Sequence, residues 1–568
     1  MGLSIVFTLL GLAVPVGLVA VLVLAIRRRG QDGSPGTGAR GVRRFFQYLL
    51  LLALMIVAAI GVADLLGRLL GADAPGGETL ARTLAFTLVG LPLALLIAWW
   101  TRRSMARDPE EAHAVGYAIH LTVAALIALV VAMFSLQTVL AGLLRGSFDG
   151  GALAAVLVWG ALWALHWWLA ARALDHGRAW PHLLFGSLIG LGTTIVALGL
   201  LLGSSLEVLL LDGGGQLVVG SARQLAGHGA TLAVGILVWV RYWLWGGLRL
   251  PRTVPWLVTV LPVGVGGGLI LAVSAASVLL WQVLVWVAGD PNGTARQHFA
   301  DAPGALAFAV AGLVAWWYHR ALLAESHETR TEVDRVHEYL VAAIGLLAAA
   351  AGVGMVVVAV IESFTPGLDL GVSVLNTLLG ALTLLLVGVP LWWLFWARIR
   401  RARAGDPEGE VSSPTRRTYL VLLFGIAGVA AVIALIVTVF VLLQDVLAGT
   451  ASGETIRSMR YALGVLLATA AVSAYHGAVY REDRAVTLPA APLGPRTVLL
   501  IGAPAPDLEQ SIRRATGART ELLVRTDGTA PPWSEEAVLA AIATQPGEHL
   551  VVLTDGEGLR VIPVHRRP

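Results

Sequence analysis

Residues 163–172 read WALHWWLAAR, a histidine set among tryptophans at the end of a long apolar run. The pattern returns as WWYHRA around His319 and SAYHGA around His476, 153 and then 157 residues further on. A motif recurring at a near-constant interval points to a repeated unit, and internal repeats decide the fold before any local motif does.

Of the 568 residues, 57% are hydrophobic and 13% charged. Apolar runs of about 20 residues, the length that crosses a hydrocarbon core about 30 Å thick, recur almost to the end. Backbone groups inside lipid must bond within their own segment, so these runs are expected to be helices. The chain reads as an integral membrane protein, and its net charge of +4 is not a nucleic-acid signal. All 40 basic residues are arginine. The absence of cysteine excludes disulfides, thiolate metal sites and cysteine nucleophiles.

Thirteen spans are expected. The loops after the odd-numbered spans hold 22 arginines and those after the even-numbered spans 7. The positive-inside rule therefore places the N-terminus outside and the C-terminus in the cytoplasm, in a multi-pass cell-membrane protein. Arg27, Arg28 and Arg29 follow the first span, unlike the basic start of a signal peptide.

With an N-terminal helix (1–30) set aside, twelve spans fall into three groups of four, at 43–175, 181–325 and 336–484. Each carries four marks in one order. The first helix ends with an acid (Asp64, Glu207, Glu362), and the second holds Val-Gly at Gly90, Gly235 and Gly388. The third ends with Gln137, Gln282 or Gln444, and the fourth with His166, His319 or His476. An even number of helices per unit returns each copy in the same orientation, giving parallel repeats. The opening of the first unit, VRRFFQYLLLLALMIVAAIGVADLLGRLL, resembles the uncharacterised bacterial four-helix membrane family called domain of unknown function 5671. The resemblance would run over about 43–484 as three tandem copies, the second the weakest match. It implies a fold and a location, but no activity and no catalytic residues.

The acids and glutamines belong to an outer layer and the histidines to an inner one, about a membrane thickness apart. An acid and a glutamine could clamp helices one and three, at about 0.6 kcal/mol per bond; the functional alternative is an ion or proton site. The histidines, among Trp163, Trp167, Trp168, Trp316, Trp317, Tyr318 and Tyr475, read as interhelical hydrogen-bonders in an interfacial aromatic belt. The alternatives are a pH-responsive group or a metal ligand. Val-Gly reads as a close packing point, Pro92 and Pro390 as kinks in the second helix, and GVGGG at 264–268 as a packing or flexible segment. The loop 320–338, with His327, Glu328, His337 and Glu338, reads as a solvated mixed-charge linker.

A Pro-rich linker (485–496) precedes a small α/β domain (497–568) of order βαβαββ, with Ser534 capping its second helix and Gly517 closing its first. The fold class is thus an all-α polytopic membrane protein with a C-terminal α/β domain. Its function is expected to be that of a non-enzymatic membrane scaffold or sensor with a cytoplasmic ligand- or partner-binding tail, without cofactor or metal. Its partners are the lipid bilayer and a cytoplasmic protein or small ligand, not nucleic acid. The alternative is a transporter or channel for a small solute or ion.

Overall fold

The structure is a computed structural model. It describes residues 37–565 apart from 73–76, 109–110, 112–113, 175, 211–218, 324–329, 366–372, 487–493, 528–530, 546 and 556–557. The first expected span, most of the Pro-rich linker, and His327 and Glu328 lie outside the described residues. Twelve described helices are long and apolar enough to cross a membrane. They are α1 Arg43–Leu69, α2 Gly77–Arg107, α3 Val115–Leu144, α4 Gly150–Ala173, α5 Ala179–Leu210 and α6 Gly220–Arg249. Then follow α7 Val254–Ala288, α8 Ala295–Ala321, α9 Glu332–Phe364, α10 Val374–Gly405, α11 Pro414–Ala448 and α12 Arg460–Ala485. At 1.5 Å per residue the shortest, of 24 residues, is about 36 Å long and exceeds the hydrocarbon core.

The Val-Gly glycines are backbone crossings. A Cβ at Gly90 would lie 3.3 Å from Ala58 N, one at Gly235 2.8 Å from Thr194 N, and one at Gly388 2.4 Å from Ala349 N. The partner helices answer in kind, because a Cβ at Gly190 would meet Trp239 N at 2.5 Å and one at Gly345 would meet Trp392 N at 2.4 Å. The first and second helices of each group therefore run antiparallel with their backbones in close approach, as small residues permit. A second crossing ties first helix to fourth: Gly67 meets Gly151, Gly203 meets Gly304, and Gly354 meets Gly464.

Three local features depart from the sequence reading. Helix α9 begins at Glu332, inside the stretch expected to be linker, because Thr331 and Asp334 form a reciprocal cap. Pro390 lies within an uninterrupted helix, whereas a π-helical turn, Phe86–Gly90, precedes Pro92. All but the last glycine of the GVGGG run lie in a longer π-helical segment, Thr259–Gly267, which contains Pro262. Such wide turns inside α-helices recur at functional sites.

The chain divides into two compact units. One holds the chain up to Arg401 with Val421–Tyr475; the other holds Ala402–Leu420 with His476–Pro568. The second contains a four-stranded sheet: β1 Thr497–Gly502, β2 Arg519–Val524, β3 His549–Asp555 and β4 Gly558–Pro563, in spatial order β2-β1-β3-β4. Strand β1 pairs parallel with β2 and β3, and β4 pairs antiparallel with β3. Helices α13 Pro506–Thr516 and α14 Glu535–Thr544 complete the expected βαβαββ order. Gly517 closes α13 at φ 70°, and the Ser534 side chain caps α14. Val498, Leu500, Ile512, Val538, Ile542, Leu550 and Val552 form the core.

Candidate functional site

In the outer layer the expected acid–glutamine pairs are not formed among the described residues. Asp64 accepts from the Thr83 hydroxyl of α2 at 3.3 Å. Glu362, 2% exposed, accepts from Arg460 Nε of α12 at 2.9 Å. Arg460 also donates to the Arg457 carbonyl, and Arg457 to the Thr365 carbonyl at 2.5 Å. Glu207 and Gln444 are exposed, and Gln137 is half-buried. Gln282 is buried, its backbone carbonyl accepting from His298 Nε2 at 2.9 Å.

Register explains part of this. Asp64 follows the crossing at Ala58 by six residues, whereas Glu207 follows Thr194 by thirteen and Glu362 follows Ala349 by thirteen. Asp64 is therefore two turns nearer the crossing than the other acids. It is not their positional counterpart.

In the inner layer, His166, His319 and His476 are all buried. The Nδ1–H of His166 donates to the Leu162 carbonyl and that of His319 to the Ala315 carbonyl, each at 2.8 Å. The partner is thus the preceding turn of the same helix, where a neighbouring helix had been expected. It fixes the Nδ1–H tautomer and leaves Nε2 as the acceptor. Each ring instead packs on the third helix of its group. His166 lies 5.9 Å from the His120 ring, and His476 lies 5.8 Å from Tyr419. His319 occupies the notch at Gly264 inside the π-helical segment, where a Cβ would lie 2.3 Å from its ring.

Aromatic hydrogen bonds follow the same register. Trp243 Nε1, eight residues after Gly235, donates to Tyr318 OH at 2.9 Å. Trp396 Nε1, eight after Gly388, donates to Tyr475 OH at 2.7 Å. Each tyrosine immediately precedes the inner histidine. In the first group both partners are missing, because Ala98 and Leu165 hold those positions.

The seam between α4 and α5–α6 is filled with rings. Trp163 Nε1 donates to Tyr242 OH at 2.8 Å, and Trp167 packs 4.8 Å from His182 and 4.9 Å from Tyr242. Arg241 lies 3.6 Å over Trp167. At the seam between α8 and α9–α10 a cavity of about 230 Å³ opens, lined by Arg320, Leu323, Val333, Asp334, His337, Glu338, Phe395 and Arg398.

Charged clusters that the sequence reading passed over lie near helix ends. Glu111, buried, accepts from Arg43 at 2.6 Å and Arg44 at 3.1 Å. Arg416 makes a two-point contact with Asp483 at 2.5 and 3.1 Å, both residues buried. The sequence signal for these was only an arginine near an acid at a helix end. Among the described residues no group of three histidines or carboxylates gathers as a metal site.

No curated protein and no solved structure matches the chain. Two of its segments, 44–161 and 335–471, match the family model described as Domain of unknown function (DUF5671), in two copies where the sequence reading expected three. These matches begin 291 residues apart, as do Ala58 and Ala349 at the glycine crossings, and end 310 apart, as do His166 and His476. The two matched segments thus stand in one register, and each ends inside the fourth helix of its group, five residues before His166 and His476.

Proposed function

We propose that the chain is a non-enzymatic membrane scaffold or sensor built from three four-helix units. Its N-terminus would lie outside and its C-terminal α/β domain in the cytoplasm. The middle group, α5–α8, lies outside the family match, yet it has the Gly190–Gly235 crossing, the Trp243–Tyr318 bond and a buried His319. These support a third, diverged copy.

One observation carries the scaffold reading. His166 and His319 are engaged by the preceding helical turn, Asp64 by a nearby threonine and Glu362 by a nearby arginine, and rings fill the first seam. Local engagement suits a structural array better than a solute path, which needs polar groups lining a shared route. The ligand or partner end of the tail would be the carboxyl ends of β1 and β3, the switch point of this sheet order. There Trp533 packs over Gly502 and donates to the Ala503 carbonyl at 2.7 Å. The bilayer and a cytoplasmic protein or small ligand would be its partners.

The transport alternative draws on one feature, the π-helical segment of α7. Flux decides between them. Vesicles reconstituted with the full chain should show proton, potassium and chloride leak no greater than empty vesicles. A leak above that background, abolished by His319→Leu beside that segment, would favour transport. Reporter fusions after Arg29 and at Pro568 should read cytoplasmic and one at Gly213 external; the reverse pattern would overturn the orientation.

A further inference from the structure

The two seams occupy one register, and the differences between them are chemical. Counted from the inner histidines, Trp167 corresponds to Arg320; counted from the crossing glycines, Tyr242 corresponds to Phe395, Trp245 to Arg398, and His182 to His337. The seam residue Trp167 and the exposed Trp245 are thus replaced by arginines at the second seam. The first seam is packed with rings, and the second holds the 230 Å³ cavity.

Its charges are not balanced pairwise. Glu338 is held by Arg330, and Asp334 accepts from the backbone N–H and hydroxyl of Thr331 at 3.0 and 2.8 Å. Both acids are thus already engaged in capping and pairing on their own helix end. Arg320 lies 5.4 Å over Trp316 and Arg398 4.8 Å over Phe395, with no carboxylate partner among the described residues. His337 Nε2 is buried and has no hydrogen-bond partner.

We propose that this second seam is a binding site for a single phosphate group, on a lipid headgroup or free in solution, gripped by Arg320 and Arg398 with His337 as a third contact. Guanidinium forks match phosphate oxygens two at a time. A cavity of 230 Å³ has room for a tetrahedral anion and accompanying water, each water taking about 30 Å³. The inference uses the repeat register and does not depend on the scaffold reading.

The test uses the full chain in neutral detergent, with two probes. Inorganic phosphate is titrated at constant ionic strength while the melting temperature is followed. Retention of phosphatidylglycerol against phosphatidylcholine is measured by native mass spectrometry. Stabilisation by phosphate assigns a site open to soluble anions; retention of phosphatidylglycerol alone assigns a headgroup site. In either case Arg398→Gln should weaken binding about tenfold or more. Arg320→Trp, which copies the first seam, should abolish binding while leaving the elution profile unchanged. Arg400→Gln serves as control, since Arg400, also exposed, lies over Trp393 and outside the cavity lining. Should Arg320→Trp fail to fold, Arg398→Gln against Arg400→Gln carries the decision. Binding of neither probe, or equal losses in Arg398→Gln and Arg400→Gln, overturns the proposal.

Discussion

Gly388 and Leu500 are both buried, for opposite reasons. In the tail, large apolar side chains turn inward, and the core of Val498, Leu500, Ile512, Val538 and Leu550 is removed from water. In the membrane helices many large aliphatic side chains turn outward. Leu237 is 60% exposed, Phe440 64% and Ile426 65%, while alanines and glycines fill the contacts. Lipid tails are as apolar as leucine, so burying leucine between helices gains little, and close backbone approach takes over. The same residue type is therefore core in one region and coat in the other.

The hardest test of that comparison is Gly388→Leu. Its Cβ would lie 2.4 Å from Ala349 N, against backbone that cannot rotate away. The variant is expected to lose the monodisperse peak on size exclusion, whereas Gly160→Ala, which meets nothing within 4 Å, should keep it. Normal accumulation of Gly388→Leu would show that the crossings are dispensable. Next in size is Leu500→Ala, at about 2–5 kcal/mol. Residues 494–568 alone should unfold cooperatively in urea as followed by circular dichroism. A chain of about 75 residues is marginal, so the substitution should leave it largely unfolded; a tail without a cooperative transition would break the contrast with the helices.

Trp396→Phe removes one hydrogen bond, to Tyr475, at about 1 kcal/mol. Tyr475→Phe should cost the same and the double variant little more. Additive losses in the melting temperature of the full chain would mean that the two residues act separately. The smallest effect is a gain. Trp316 Nε1 is buried without a partner, and it and Phe395 pack against the same cluster, at the positions where Trp163 meets Tyr242 in the first seam. Phe395→Tyr should restore that bond and stabilise the full chain by less than about 1 kcal/mol; a lower melting temperature would argue against matched seams.

Hydropathy made the membrane helices legible, and cap residues such as Ser534 and Gly517 made the tail legible, because both depend on short stretches of sequence. The role of Val-Gly was also readable, since only a small residue suits a backbone crossing. The acid mark misled at Asp64, where a letter pattern matched but the turn count did not. The glutamine clamp failed for a related reason. Side chains at helix ends take the nearest partner, and Thr83 and Arg460 are nearer than any glutamine. Partners set by three-dimensional proximity, such as Arg416 with Asp483, left no pattern in the sequence to read.

The glycines of α9 have a mechanical consequence. Gly345 sits against the backbone of Trp392, and seven residues on Gly352 sits against Leu385 and the Ala381 carbonyl. A slip of one residue would drive a side chain into backbone, so the two helices mesh like a toothed rack. The next position that brings glycine back to the same notch is seven residues away, about 10.5 Å of travel. Small sliding motions are locked out within the pair. Any movement of the bundle is expected to pivot at the seams between groups, where side chain meets side chain.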